Sequence, residues 1–314
     1  MLAEKKRKLL IDTDIGDDTD DAFALYMAMR LDYEIVGITT CFLHAEQRAR
    51  LAKKLLKTFG NGYEKVPVYA GHSTPIDERR EEYPMCQYTP DLECTEYKPD
   101  GLDPDEAVDF IIDCCKKYGE ELSVVAIGPF TNIARALEKD PHVFDQIGQF
   151  VIMGGAYFKQ YADWNVICDV PAADMMFRSV PNIHAIGADV THKTWLSDSD
   201  RQKIVDYKGD DATARLVGEL YQSWWLAHGK SARTALHDPL AIYYAEHPDI
   251  CETKKQRIVV LTDGYARGLT LNVDAYAKSE RNPAYQSMRD LKPITVAREV
   301  NVSQIMDAFL NLFE

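Results

Sequence analysis

Short apolar runs alternate with longer amphipathic segments along the whole chain. The first apolar run covers residues 9–11 and the next covers 35–40, and the helical spacing of apolar positions predicts helices over 20–31 and 45–59. Later apolar runs cover 66–70, 122–127, 150–153, 183–186 and 258–261. Continuously apolar runs of this length are typical of buried parallel strands. The alternation predicts an α/β fold, with a mostly parallel central sheet flanked by helices in a single large domain over residues 1–314.

One segment does not follow this alternation. Residues 73–103 are rich in Pro, Glu, Tyr and Asp and show no clear periodicity. At about thirty residues the segment exceeds the usual length of a connection inside a compact domain, and long connections of this kind are often active-site lids. The sequence therefore predicts a lid or an irregular flap at 73–103.

Charge and composition exclude several classes of protein. The 314 residues include 36 Lys and Arg against 50 Asp and Glu, which gives a formal charge of -14 and argues against binding to nucleic acid. The longest apolar run near the start has eight residues, at 22–29, whereas a membrane-spanning helix needs about 20. The seven cysteines form no Cys-x-x-Cys pair, which favours reduced thiols and a cytoplasmic location over a zinc ribbon.

An acidic cluster follows the first predicted strand. Six carboxylates lie within ten residues: Asp12, Asp14, Asp17, Asp18, Asp20 and Asp21. The carboxyl ends of strands in open α/β sheets are where ligands bind. A hard cation such as Ca²⁺, which takes six to eight oxygen ligands, accounts for the whole cluster. Helix capping by Asp18 or Thr19 and the favourable effect of acids on a helix N-terminus offer an alternative for part of it.

Two other acidic motifs bear on the same residues. An EF-hand loop that began at Asp12 would need Gly at its sixth position and Glu at its twelfth, where this chain has Asp17 and Phe23. The EF-hand is therefore excluded. A phosphatase of the haloacid dehalogenase type also starts with Asp-x-Asp after a strand, although Gly16 replaces its usual Thr or Val, and it stays open as an alternative.

The acidic cluster resembles the signature Asp-x-Asp-x-Gly-x-Asp-Asp-Ala of the inosine-uridine nucleoside hydrolase family. Four further segments resemble family motifs in the same order: Gly128–Ala134 resembles the Gly-x-x-Thr-Asn turn, 153–155 the Met-Gly-Gly strand end, 162–165 the Glu-Phe-Asn segment and 236–241 the His-Asp-Pro motif. Five motifs between residues 12 and 241 make an accidental likeness improbable. The resemblance implies a nucleoside hydrolase-like fold and Ca²⁺-dependent hydrolysis of the N-glycosidic bond of ribonucleosides, and it implies a homodimer or homotetramer.

The resemblance also implies roles for single residues. It assigns the carboxylates of Asp14, Asp21 and Asp238 and the carbonyl oxygen of Ile127 to a Ca²⁺ site. It assigns contacts with the ribose to Asp20, Asp163 and Asn165. Bond cleavage develops positive charge on the sugar and negative charge on the departing base. Asp14 is then expected to deprotonate the attacking water, and His237 to donate a proton to the base.

The chain departs from the family pattern at two places that bear on substrate. Its acidic motif is two residues longer than the usual form, and Leu43-His44 stands where the family commonly has Gly-Asn, whose Asn touches the sugar. His44 is thus a candidate substrate contact. In 73–103, Tyr83, Tyr88 and Tyr97 are candidates for stacking on the base. These departures leave open an alternative function, a divergent member that binds metal and a sugar-like ligand without hydrolysing nucleosides.

Overall fold

A computed structural model describes residues 7–77, 85, 87, 94–279 and 281–314. Its centre is an eight-stranded sheet with the order β3-β2-β1-β4-β5-β6-β10-β7. The strands of the sheet are β1 Lys8–Thr13, β2 Glu34–Thr40, β3 Val68–Ala70, β4 Leu122–Ala126, β5 Gln149–Met153, β6 Ile183–Ile186, β7 Cys251–Gln256 and β10 Ile294–Val300. All neighbouring strands pair in parallel except β7, which pairs antiparallel with β10. The predicted single α/β domain with a mostly parallel sheet is confirmed.

Helices cover both faces of the sheet. They are α1 Asp20–Arg30, α2 Ala45–Phe59, α3 Pro104–Tyr118, α4 Thr131–Lys139, α5 Trp164–Cys168, α6 Val170–Ser179, α7 Ala188–Thr191, α8 Asp198–Val205, α9 Ala212–Ala227, α10 His237–Glu246, α11 Asp274–Ala277, α12 Gln286–Arg289 and α13 Val302–Leu310. The described part of the chain contains no helix with both the length and the apolar composition needed to span a membrane.

The two faces of the sheet form two separate apolar cores. Successive side chains of β1 point to opposite faces, so Leu9 and Ile11 join the core beneath α1, α2, α9 and α10, and Leu10 joins the core beneath α3, α4 and α6. All three side chains are completely buried. Burial on both faces explains why the central strands read as continuous apolar runs in the sequence.

Strands β7, β8 Ile258–Val260 and β9 Thr270–Asn272 differ from the sequence prediction. The run at 258–261 was expected to be a buried parallel strand, but β8 pairs antiparallel with β9 in a separate two-stranded ribbon. The sequence pattern also missed β7, because four of its six residues are exposed and polar. An edge strand needs no apolar run, and charged side chains such as those of Lys254 and Lys255 protect such an edge from pairing with another chain.

The predicted lid at 73–103 is described only in part, since residues 78–84, 86 and 88–93 lie outside the described residues. Tyr83 and Tyr88, two of the candidate stacking residues, are among these. Met85 and Gln87 lie beside the acidic loop, where the N–H of Gln87 donates to the carbonyl oxygen of Gly16 at 3.0 Å. Tyr97 packs against the core, with the ammonium of Lys57 5.1 Å from its ring centre.

Candidate functional site

The candidate site lies where the strand order of the sheet reverses. Strands β1, β2 and β3 proceed in one direction from the centre, and β4, β5 and β6 proceed in the other, so that β1 and β4 are neighbours. Their carboxyl ends are joined by a 2.8 Å hydrogen bond from the N–H of Ile127 to the carbonyl oxygen of Asp12. Ligands of open α/β sheets bind at such a reversal point. The acidic loop at residues 14–19 follows β1 directly.

Asp12, the first acid of the motif, is hydrogen-bonded to neighbouring elements of the fold and is not among the described residues that line the cavity. Its Oδ1 accepts hydrogen bonds from the Thr39 hydroxyl at 2.6 Å and from the Asn132 amide at 2.8 Å. Burial raises the pKa of Asp12 to about 6, against the opposing effect of these two bonds. Asn132 also donates to the carbonyl oxygen of Thr40, so that the Thr-Asn motif ties α4 to β1 and β2.

Three acids of the site lie close together. Asp20, Asp21 and Asp238 are buried, and each offers a carboxylate oxygen within 4.8 Å of the others. The first two are the first residues of α1, and Asp238 is the second residue of α10, which packs against α1. Asp14 lines the same cavity but is not part of this close group. The structure therefore groups Asp20, expected as a sugar contact, with two of the expected metal ligands.

Burial and mutual repulsion act together on these carboxyl groups. The pKa of Asp14, Asp20 and Asp238 is raised well above its usual value, first by burial and then by a neighbouring carboxylate. The pKa of Asp21 rises to about 7, although the Thr13 hydroxyl donates to its carboxylate. Capping does not explain the cluster, because Thr19, at the N-cap of α1, makes no side-chain cap hydrogen bond. Such a group is suited to binding a cation.

Asp18 is held in the acidic loop by its own hydrogen bonds. Its Oδ1 accepts hydrogen bonds from the N–H of Thr19 at 2.6 Å and from the Thr234 hydroxyl at 3.1 Å. Burial raises its pKa to about 6. Asp18 lines the cavity without joining the group of three acids, so the acidic loop adds a further carboxylate to the wall of the site.

Asp163, Asn165 and Ile127 form another part of the cavity wall. Asp163 caps α5 by accepting from the N–H of Asn165 at 3.1 Å, and burial raises its pKa to about 6. The Asn165 amide donates to the carbonyl oxygens of Ile127 at 2.8 Å and Met153 at 3.2 Å. These bonds occupy the amide nitrogen, so the Oδ1 of Asn165 is the atom suited to accept from a ligand hydroxyl.

His237 lies at the start of α10 with one ring nitrogen engaged. Its Nδ1 is 2.7 Å from the Thr191 hydroxyl. The rings of His192 and Trp195 pack edge-on against it, at centroid distances of 5.5 and 6.1 Å. Burial, followed by the charge of His192, lowers the pKa of His237 to about 3. The imidazole is therefore neutral at neutral pH, and Nε2 is the nitrogen available to a ligand.

The predicted residues surround one cavity of about 770 Å³, within the size range of small-molecule sites. All eight expected residues other than His44 line it, namely Asp14, Asp20, Asp21, Ile127, Asp163, Asn165, His237 and Asp238. Aromatic side chains surround its mouth, with Tyr161, Trp164 and Trp195 each more than 40% exposed. Such rings suit contact with a planar base. His44, at the N-cap of α2, is not among the described residues that line the cavity.

The ribbon of β8 and β9 fixes the loop that carries Asp163. The Thr270 hydroxyl donates to the carbonyl oxygen of Ala156 at 2.7 Å and accepts from the N–H of the same residue at 2.9 Å. Ala162, next to Asp163, forms a bridge with Leu269. The ribbon therefore defines the conformation of one wall of the site.

Sequence reasoning missed Arg48, a completely buried residue of α2 that contacts the acidic loop. A signal was available, because Arg48 shares the apolar face of its helix with Ala45, Ala49, Ala52 and Leu55. A charged residue on a buried helix face requires a polar partner inside the protein. No comparable signal in the sequence marks Thr191 or the aromatic mouth.

Comparisons with known proteins agree with this geometry. The family described as inosine-uridine preferring nucleoside hydrolase matches residues 9–307. The chain is 28% identical over 310 residues to a probable uridine nucleosidase 1 of Oryza sativa subsp. japonica, covering 95% of this chain and 94% of that protein.

Two solved structures are similar over nearly their whole length. A purine-preferring ribonucleoside hydrolase from Gardnerella vaginalis is 28% identical, with a TM-score of 0.78 and 98% of each chain covered. A plant nucleoside hydrolase is 24% identical, with a TM-score of 0.83 over 98% of this chain and 99% of the other, and this likeness shows the fold.

Proposed function

The chain belongs to the inosine-uridine preferring nucleoside hydrolase family and is a hydrolase of N-glycosyl compounds, and from this premise we propose Ca²⁺-dependent cleavage of ribonucleosides to ribose and free base. The observation that carries the proposal is the buried group of Asp20, Asp21 and Asp238. The proposed substrate is a nucleoside in the cavity described above, with the sugar at its acidic base and the nucleobase toward its aromatic mouth.

The residues of the cavity fit a Ca²⁺ ion. Three carboxylates within 4.8 Å of one another, together with Asp14 and the carbonyl oxygen of Ile127, offer the hard oxygen ligands that Ca²⁺ prefers. We propose Asp14, Asp21, Asp238 and Ile127 as its ligands, with Asp20 beside them toward the sugar. When bound, the ion supplies positive charge that offsets these carboxylates and attracts hydroxyl and water oxygens.

Each side chain then has a separate role in the cleavage reaction. The Asp14 carboxylate accepts a proton from the attacking water. Asp163 and the Oδ1 of Asn165 accept hydrogen bonds from ribose hydroxyls, and the nearby carboxylates stabilise the positive charge that develops on the sugar. His237 is held at Nδ1 by Thr191, and because its imidazole is neutral it presents Nε2–H to the departing base as a hydrogen-bond donor. This hydrogen bond takes the place of the proton transfer expected from the sequence, and the base takes its proton from water.

Three finer expectations accompany this function as predictions. The assembly is a homodimer or homotetramer, the location is cytoplasmic, and residues 73–103 act as a lid over the single domain. The cytoplasmic location follows from the cysteine pattern, and the six described cysteines are buried.

A panel of nucleosides tests the function. Purified protein is incubated with inosine, uridine, cytidine and adenosine in calcium, in chelator, and in chelator with calcium restored, and released ribose is measured as reducing sugar. We expect ribose from at least one substrate in calcium only. In Asp14→Ala, loss of the general base should lower kcat about 100-fold or more, while Asp145→Ala, on the surface, serves as the control.

Two results separate this function from its alternatives. Calcium binding without ribose release from any nucleoside would favour the divergent binding protein. Undiminished kcat in Asp14→Ala would remove Asp14 from the role of base and leave the hydrolase assignment in place.

A further inference from the structure

Arg48 connects the two loops that follow the first two strands of the sheet. Its side chain is 0% exposed. On the loop after β1, Nη1 donates to the carbonyl oxygens of Asp14 and Ile15, and Nη2 contacts the Asp17 carboxylate at 2.6 Å. On the loop after β2, Nε donates to the carbonyl oxygen of Phe42 at 2.8 Å. One guanidinium thus bonds to four residues of two loops.

The second loop has an unusual backbone conformation. Phe42 and Leu43 have φ angles of 67° and 52°, in the left-handed region that costs a non-glycine residue about 1–2 kcal/mol. Hydrogen bonds compensate for this cost, since Phe42 donates to the carbonyl oxygen of His72 at 2.9 Å and accepts from Arg48. The contact with Arg48 therefore helps to hold a turn that has no glycine to relax it.

The first loop is the one in which the acidic motif is two residues longer than the family's usual form. Arg48 bonds to the backbone of Asp14 and Ile15 and to the side chain of Asp17, all of them in this loop. A carboxylate lies close to its own backbone, so fixing the carbonyl group of Asp14 restricts where its side chain can point.

We propose that Arg48 is a positioning residue of the hydrolytic site, fixing the loop after β1 to the strained turn after β2 so that Asp14 keeps its direction into the cavity. This inference rests on the proposed function. Arg48 acts through the loop, since it is not among the described residues that line the cavity. Its planar fork of five donors fits four acceptors in fixed directions, an arrangement that a lysine ammonium does not reproduce.

The test compares Arg48→Lys and Arg48→Met with Arg178→Lys, a control in an exposed ion pair with Asp174. Thermal stability, calcium affinity by titration calorimetry, and kcat and KM on the nucleoside that wild type cleaves best are measured for each folded protein. Small displacements of a catalytic group cost large factors in rate. We expect Arg48→Lys to keep most of the stability but to lose about tenfold or more in kcat at saturating calcium and substrate. We expect wild-type kinetics from Arg178→Lys.

A purely structural role gives a different pattern. In that case Arg48→Lys and Arg48→Met are less stable, yet the folded fraction retains wild-type calcium affinity and kcat, and this result would overturn the proposal. If neither variant folds, Asp17→Asn weakens the Nη2 contact, and because Asp17 also lines the cavity, amide hydrogen exchange over residues 12–19 is measured beside kcat. We expect about a threefold fall in kcat or calcium affinity from it, and unchanged values would equally overturn the proposal.

Failure of the proposed function is recognised separately. A wild-type protein that cleaves none of the nucleosides refutes the hydrolase proposal. Calcium titration and amide hydrogen exchange over residues 12–19 then decide the role of Arg48. Faster exchange in Arg48→Lys than in Arg178→Lys supports the connection between the loops, and equal exchange with equal calcium affinity refutes it.

Discussion

Replacing Asp238 by Asn should stabilise the calcium-free protein while removing its response to calcium. Asp238 lies within 4.8 Å of carboxylate oxygens of Asp20 and Asp21. At an effective dielectric constant of 20, two charges at that distance repel by about 3.5 kcal/mol. One carboxyl can escape this repulsion by taking up a proton, but holding it protonated at pH 7 costs about 4 kcal/mol. The destabilisation due to Asp238 therefore cannot exceed about 4 kcal/mol. The negative charge also favours the N-terminus of α10, but only by about 0.3–1 kcal/mol.

Repulsion is therefore the larger effect, and we expect Asp238→Asn to gain about 2–3 kcal/mol in chelator. For a chain of 314 residues this raises Tm by about 3–5 °C. Calcium offsets this difference, because an ion at 100 times its Kd stabilises wild type by about 2.7 kcal/mol and the variant lacks a ligand. At about 1,000 times its Kd the ion stabilises wild type by about 4.1 kcal/mol, and the order of the two proteins reverses.

Differential scanning fluorimetry at pH 7, in chelator and over a calcium series, measures both effects. Asp174→Asn, which removes a partly exposed acid in an ion pair with Arg178 on α6, is the control. A variant that is less stable than wild type in chelator and still gains stability from calcium would refute the reasoning.

Two further predictions concern stability away from the site. Burial, with the charges of Lys255 and Arg7, lowers the pKa of His184 to about 4, so the folded protein favours its neutral form. Stability from this group is complete above about pH 6.5 and is lost as the pH falls toward 4, with a slope of up to about 1.4 kcal/mol per pH unit that His184→Asn should remove from urea titrations. Ser197 forms a capping box with Asp200 at the start of α8. Ser197→Ala should cost about 1 kcal/mol in the same titrations, and a loss below about 0.3 kcal/mol would contradict the assigned cap.

Much of the site was predictable because many of its functional residues lie at the carboxyl ends of strands. The acids after β1 and the residues near the ends of β4 and β5 are far apart in the sequence but adjacent at one edge of a parallel sheet. Repulsion among so many acids in one loop also indicated a cation. The family motifs add residues from α5 and α10, whose convergence on the cavity no local pattern in the sequence indicates.

The parts that escaped prediction depend on contacts between distant segments. Cys251–Gln256 forms β7 although its residues are mostly polar, because pairing with β10 through the backbone requires no apolar side chains. The run at Ile258–Val260 is apolar because it packs onto α6 from outside the main sheet. The contacts of Arg48 could not be predicted for the same reason. Its helix was predicted correctly, but its hydrogen-bond partners lie on two loops outside that helix.

The attachment of Ala156 and Ala162 to Thr270 and Leu269 has a consequence for how the protein is made. A nascent chain that has emerged from the ribosome only as far as residue 260 contains all the acidic residues proposed to act, yet it lacks the segment that shapes one side of their pocket. Maturation of the catalytic centre therefore waits for nearly complete translation, and a product shortened before Leu269 would retain the motifs without their working arrangement.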